Sequence, residues 1–149
     1  MDVLEFREKI KLDSRLEIDG KEFVVRQIVK FRLDDSSIYL KLFLNDGYVF
    51  ADDSNENIYI LVHEVKTNFL TPFPLELDYI EKHFKFSYSA HANAEETLGQ
   101  EIFKQGDSES FSDYKADDGG YLSLGVIDNS KIRLDFYGKI IASDKVKIK

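Results

Sequence analysis

The stretch Arg15-Leu16-Glu17-Ile18-Asp19-Gly20-Lys21-Glu22-Phe23-Val24-Val25-Arg26 decides the fold class. A two-residue Asp-Gly stands between two runs of β-formers, and glycine accepts the positive φ that a tight hairpin turn requires. The second run continues through Ile28, Val29 and Phe31, β-branched and aromatic residues suited to a pleated strand. A β-hairpin is predicted here, and much of the chain repeats its pattern.

In Ser37–Leu44, residues Ile38, Leu40, Leu42 and Leu44 share one face while Tyr39 and Phe43 share the other, the pattern of a strand covered on both sides. Asn45-Asp46-Gly47 turns the chain into Tyr48–Ala51, and the polar cluster Asp52 to Asn57 turns it again into Ile58–His63. Three strands joined by short turns make a meander. Residues 67–75 hold both prolines; neither suits a sheet centre, because proline lacks the backbone donor. This segment reads as a crossover, followed by a short helix through Leu77, Ile80 and Phe84, whose spacing suits one helical face.

The second half opens on Phe84–Ser89, a strict alternation of aromatic and polar residues. Ala90 to Gln100 fits helix by its alanines and glutamates and strand by its alternation. Asp107 to Asp118, polar and acidic, reads as a loop interrupted by Phe111 and Tyr114. Asp118-Gly119-Gly120 then turns into the strand Tyr121–Ile127, and Asp128-Asn129-Ser130 turns that into Lys131–Tyr137. There Ile132, Leu134 and Phe136 are expected to face inward, and Gly138 and Ile140-Ile141 lead to a closing strand. The expected fold is mainly β, a single domain over residues 1–149. It is an antiparallel sandwich or partly open barrel made of two β-rich halves, about 12–66 and 80–149, with at most one or two short helices.

Composition bounds the function classes. With 149 residues, 43% hydrophobic and 32% charged, the chain is long enough to bury a core without disulfides or metals. It has no cysteine, which excludes disulfides, thiolate metal sites and cysteine nucleophiles. Met1–Glu8 carries acidic residues where a signal peptide needs a basic start, and no apolar run approaches the roughly 20 residues that span a bilayer. A soluble, cytoplasmic protein with no membrane insertion is expected. The net charge is -8, and the 20 basic and 28 acidic residues divide evenly, with 10 and 14 in residues 1–66. No basic patch for phosphates is hidden in the total, so no nucleic-acid partner is expected. Lys145, Lys147 and Lys149 alternate along a terminal strand, the usual guard of a sheet edge.

The segment Leu16–Val25, with its Asp19-Gly20 turn, resembles the opening of the bacterial family known as domain of unknown function 4178. Asp113-Tyr114-Lys115-Ala116-Asp117-Asp118-Gly119-Gly120-Tyr121-Leu122-Ser123-Leu124 is similar to that family's Asp-Tyr…Asp-Gly…Leu-Ser segment, and Asp135–Ile141 to its closing strand. The resemblance covers about residues 12–148, although the chain has no tryptophan where one or two are expected in the middle strands. It implies bacterial origin, no assigned catalytic residues, and a tendency to be encoded beside membrane-stress or envelope-associated proteins.

Candidate sites are few. His63, His83 and His91 lie 20 and 8 residues apart and form no zinc motif, so neither metal nor other cofactor is expected. Asp53, Asn55, Asn57 and Glu64 match calcium-loop positions, but Ile58 stands where the loop needs glycine. The run Asp107, Glu109, Asp113, Asp117 and Asp118 could hold a cation or supply paired carboxylates for acid–base chemistry, against the more ordinary reading of a solvated acidic loop. There Asp113, Tyr114, Asp117 and Asp118 are the candidate partner-binding residues, an aromatic beside carboxylates in a loop. Tyr39, Phe43, Tyr48, Tyr59, Tyr88 and Tyr137 are candidates for an exposed aromatic face. No nucleophile elbow or phosphate-gripping glycine motif occurs, and no catalytic residue is assigned. The sequence therefore favours a non-catalytic protein-interaction module. The alternative is a small-ligand-binding or hydrolytic protein with a pocket between the two halves.

Overall fold

The computed structural model describes residues 1–99 and 102–149. One helix, α1 (Val3–Lys9), precedes eleven strands among the described residues. The first half holds β1 (Arg15–Ile18), β2 (Lys21–Leu33), β3 (Ile38–Leu44), β4 (Tyr48–Asp53) and β5 (Ile58–Val65). The second holds β6 (Glu76–Tyr79), β7 (Lys82–Leu98), β8 (Ser108–Lys115), β9 (Gly120–Ile127), β10 (Ile132–Ala142) and β11 (Val146–Ile148).

The expected hairpin is present: β1 pairs antiparallel with β2 across Asp19 (φ 50) and Gly20 (φ 81), both in the left-handed region that a type I′ turn demands. The meander β2–β3–β4–β5 follows, and a second, β7–β8–β9–β10, mirrors it. The two meanders meet at β5–β10 and again at β2–β7. That second junction closes an eight-stranded antiparallel barrel with β1, β6 and β11 outside it. Matching hairpins serve the two halves. β4–β5 and β9–β10 each turn through four residues, ending on Asn57 (φ 53) and Lys131 (φ 61).

Three expectations are corrected and one open reading is settled. No helix joins Leu77 to Phe84; β6 and β7 form a hairpin whose register sets Leu77 directly opposite Phe84. Both face one apolar cluster, so a spacing that reads as one helical face is produced by two strands, while Ile80 sits exposed in the turn. Residues 82–98 are all strand; Gln100, the last residue of the ambiguous stretch, lies outside the described residues. The segment taken as an acidic loop is mostly β8. Ile132 is exposed at the start of β10, while Leu134 and Phe136 are buried as expected.

Strand alternation sorts the side chains into three cores. The barrel lumen holds Val29, Phe31, Phe43, Val49, Val62, Ala92, Ala94, Phe103, Leu134 and Phe136. The outer face of the first meander, with Leu40, Leu42, Phe50 and Tyr59, is covered by Val3 and Phe6 of α1 and by β1 and β11. Arg7 fixes the helix there through a bidentate pair with Asp52, both contacts 2.8 Å. The outer face of the second meander, with Tyr114, Leu122 and Leu124, is covered by β6 and by Phe69 and Phe73 of the crossover. Lys147 and Lys149 at the β11 edge reach Glu17.

One end of the barrel is plugged. The β7–β8 connection inserts Phe103, which meets Phe31 edge-on at 5.0 Å, and buried Gln27 holds it by donating to the Phe103 carbonyl at 2.7 Å.

Two glycines test the architecture. A Cβ on Gly138 would lie 2.0 Å from the Leu61 carbonyl of β5, so Gly138→Ala must push β10 off its partner. It is expected to cost several-fold more stability in urea denaturation than Gly20→Val, whose position is open and whose cost, about 1–2 kcal/mol, is conformational alone. Equal costs would place the close β5–β10 approach in doubt.

Candidate functional site

The plug fills only part of the lumen. Toward the opposite end, between the β2–β3 and β4–β5 turns, lies a cavity of about 410 Å³ walled by both halves of the chain. An eight-stranded barrel is just wide enough to be filled by side chains or to hold one small ligand. Here the inward-facing residues change character along the axis, apolar at the plug and polar above it.

Lys41 comes from β3, a strand otherwise apolar. The Lys41 side chain points inward beside Tyr39 and Phe43, and its ammonium lies 4.7 Å from the Phe136 ring centre, a cation–π distance. Its counter-ion is Glu109 of β8, bonded through both carboxylate oxygens at 3.1 and 3.3 Å. Tyr39 donates its hydroxyl to the same carboxylate at 2.5 Å. The pair is almost wholly withdrawn from solvent, where an ion pair holds only if its remaining valences are satisfied, and Tyr39 supplies one of them. Burial and the Glu109 charge raise the Tyr39 pKa well above its ordinary value, so the phenol stays a donor.

Asp113, two residues beyond Phe111 on the same wall, is the second acidic group. Tyr121 of β9 donates to its Oδ2. The other oxygen, Oδ1, is buried and has no hydrogen-bond partner. Burial pushes the Asp113 carboxyl from 3.8 up to about 6, against the Ser123 and Tyr121 hydroxyls and the Lys41 charge, which favour the anion. The residue is 9% exposed and borders the cavity.

The mouth is set by a bulge. Register shifts between Phe86 and Tyr88 on β7, and such an extra residue re-aims the side chains beside it. Tyr88, 43% exposed, thereby lies against Phe111 at 6.1 Å. Asp35, Asp53, Glu56 and Lys115 complete the rim.

The structure separates the residues expected to bind a partner. Asp113 and Tyr114 are adjacent in β8 and therefore face opposite sides of the wall, both buried. Tyr114 belongs to the outer core, where its hydroxyl donates to the Pro74 carbonyl at 2.8 Å. Neither is the exposed loop residue expected. Asp117 and Asp118 are exposed at the β8–β9 turn, and Asp118 pairs with Lys82 at 2.9 Å. Of the aromatics expected on an open face, Phe43 and Tyr59 are buried, while Tyr88 is exposed.

The histidines lie apart. His83 sits between Asp78 and Glu76, and His91 between Asp34 and Asp128; their carboxylates raise both pKa values. Among the described residues no group of three or more His, Asp or Glu side chains is arranged to hold a metal ion, and no helix is long and apolar enough to cross a membrane. Asp53 accepts from the Asn55 and Glu56 amides, and Asn57 from that of Val3, so the calcium-like spacing serves a turn.

Sequence reasoning singled out Glu109 only within the acidic run and missed Lys41, Tyr121 and Ser123. Lys41 carried a signal: a lone ammonium midway along a strand that the pattern places under cover on both faces. Comparison with protein-family models, with curated proteins and with solved structures returns no match.

Asp113→Asn keeps an acceptor for Tyr121 and removes the charge. Because the folded-state pKa lies above the unfolded one, the wild-type carboxyl carries no penalty at low pH and loses stability as pH rises through about 6. The penalty by linkage is about 3 kcal/mol at pH 8. The variant is expected to be the more stable protein at pH 8 by up to that amount, with the two converging toward pH 4 in urea denaturation. A variant less stable at pH 8 would mean that the buried anion is well compensated.

Proposed function

We propose that the protein is a small-ligand-binding β-barrel, with its site in the upper lumen between Lys41, Glu109, Asp113 and Tyr121. The observation that carries this reading is a cavity of about 410 Å³ into which a barrel directs convergent polar groups, one of them an incompletely bonded carboxylate. Binding sites for small molecules have this make-up: concave, within a few hundred to a thousand cubic ångströms, lined by aromatics with a few placed polar groups. A purely structural lumen has no use for three ionisable side chains, since apolar residues of equal volume would pack there at lower cost. This favours the pocket between the halves over a partner-binding loop.

The test is to fill the space. Ala51 borders the cavity from β4, and Ala51→Trp is expected to occupy it while the far-ultraviolet circular dichroism stays that of a β-barrel. Ligand-observed NMR with a fragment library should yield binders competing for one site on the native protein, with affinity at least tenfold weaker on the filled variant. Binders indifferent to Ala51→Trp would place the site elsewhere, and no binders at all would count against a receptor.

A further inference from the structure

The lumen is not neutral about what it would hold. Among its polar atoms, Lys41 Nζ is engaged by both oxygens of Glu109, the Tyr39 hydroxyl by Glu109, and the Tyr121 hydroxyl by Asp113 Oδ2. Asp113 Oδ1 is buried and has no partner in hydrogen-bond geometry, the nearby Ser123 hydroxyl favouring the anion without closing a bond to it. It is an acceptor, so whatever completes it brings a donor, and a carboxylate withdrawn from water is best completed by a charged one.

The charge count points the same way. Lys41 and Glu109 offset each other, leaving Asp113 as the uncompensated group of the lumen. At the rim Asp35, Asp53 and Glu56 outnumber Lys115, and a mouth lined by one sign of charge concentrates ligands of the other. The walls contribute as well. Tyr39, Tyr88, Phe111 and Phe136 line the space, and the protein already seats one ammonium among aromatic rings, that of Lys41 near Phe136, Phe103 and Phe31. Ring faces attract cations when water is excluded. A hard metal ion would instead need six or more oxygen ligands, and a single free carboxylate oxygen beside aromatic rings does not offer them.

The geometry points to a ligand class: a small organic amine, protonated, its N–H bonded to Asp113 Oδ1 and its apolar body lying against Tyr39, Tyr88 and Phe111. This rests on the barrel being a small-ligand receptor and adds to it the sign and chemistry of the ligand. Anions are disfavoured by Asp113, Glu109 and the acidic rim, and neutral alcohols of the same shape leave the Asp113 charge without a counter-ion.

Three probes of one shape separate these cases: phenethylamine, phenethyl alcohol and phenylacetate, titrated into the intact protein by calorimetry, with an apolar fluorescent dye as a fourth. The amine is expected to bind, phenylacetate not to, and Asp113→Asn to weaken the amine at least tenfold, far more than it weakens the alcohol. The amine keeps its charge between about pH 5 and 8, so its affinity should fall as Asp113 takes up a proton below about 6. The groups facing Asp113 are Tyr39 and Lys41 of β3, Tyr88 of β7, Glu109 of β8, and Tyr121 and Ser123 of β9, with Asp35, Asp53, Glu56 and Lys115 farther out at the rim. Loss of the pH step in Asp113→Asn assigns it to Asp113 and not to them, and the step can be read in the native protein even if the variant folds poorly. If alcohol and amine bind alike and the variant changes neither, or if phenylacetate is preferred, the amine class is overturned while the receptor stands. If none of the four binds, the receptor itself falls.

Discussion

The pairing of β2 with β7 is the constraint on which the rest depends. It joins residues 28–33 to residues 92–98, far apart in the chain, so the entropy of closing that long loop must be met before the contact forms. Without it the two meanders would meet only at β5–β10, as an open sheet whose lumen face was bare to water. Both strands are longer than the barrel requires, 13 and 17 residues. The surplus of β2 pairs with β1 and that of β7 with β6, so each long strand anchors an outer hairpin as well as the seam. The seam also positions the plug, because Gln27 on β2 holds the carbonyl of Phe103 on the connection leaving β7.

A closed barrel isolates its lumen from solvent, and that gives the interior charges their weight. A buried ion pair gains little net stability, but removing one partner leaves an isolated charge and costs about 3–5 kcal/mol. Lys41 and Glu109 therefore hold each other in place, with Tyr39 completing the carboxylate and aromatic rings surrounding the ammonium. Asp113 has no such arrangement. Burial raises its pKa to about 6, which favours a neutral group there over the carboxylate. Interior positions that break the local rule without structural gain are candidates for binding or chemistry.

The outer architecture was legible in the sequence because turn chemistry and alternation are local. Asp19-Gly20, Asn45-Asp46-Gly47 and Asp118-Gly119-Gly120 all mark hairpins, and Leu40, Leu42 and Phe43 lie buried on the two faces their alternation assigns. The helix α1 went unread although its signals are local: Asp2 caps it through the Leu4 amide, Glu5 follows three residues after Asp2, and Val3 and Phe6 share its buried face. What escaped local reading was barrel closure, which depends on pairing between distant strands. The site escaped with it. A wall that faces a polar cavity does not alternate apolar with polar, so Ser108–Lys115 presents Glu109, Phe111, Asp113 and Lys115 on one side and serines with Tyr114 on the other. Acidic and poor in aliphatic residues, it has the composition of a loop and the geometry of a strand.

That one strand also explains why the sequence brought Asp113 and Tyr114 to notice together, though they do different work. Tyr114 faces outward and binds the carbonyl of Pro74, tying the crossover to the barrel, and Arg133 holds the same segment by donating to the Phe69 carbonyl at 2.8 Å. Asp113 faces inward with one buried oxygen unbonded. The ladders to β7 and β9 hold β8 in register, and that register aims Asp113 at Tyr121 and keeps Glu109 within reach of Lys41. In a sheet with period two, moving the strand by one residue would carry every inward group to the outside. The register of β8 therefore determines which of its charges the lumen contains.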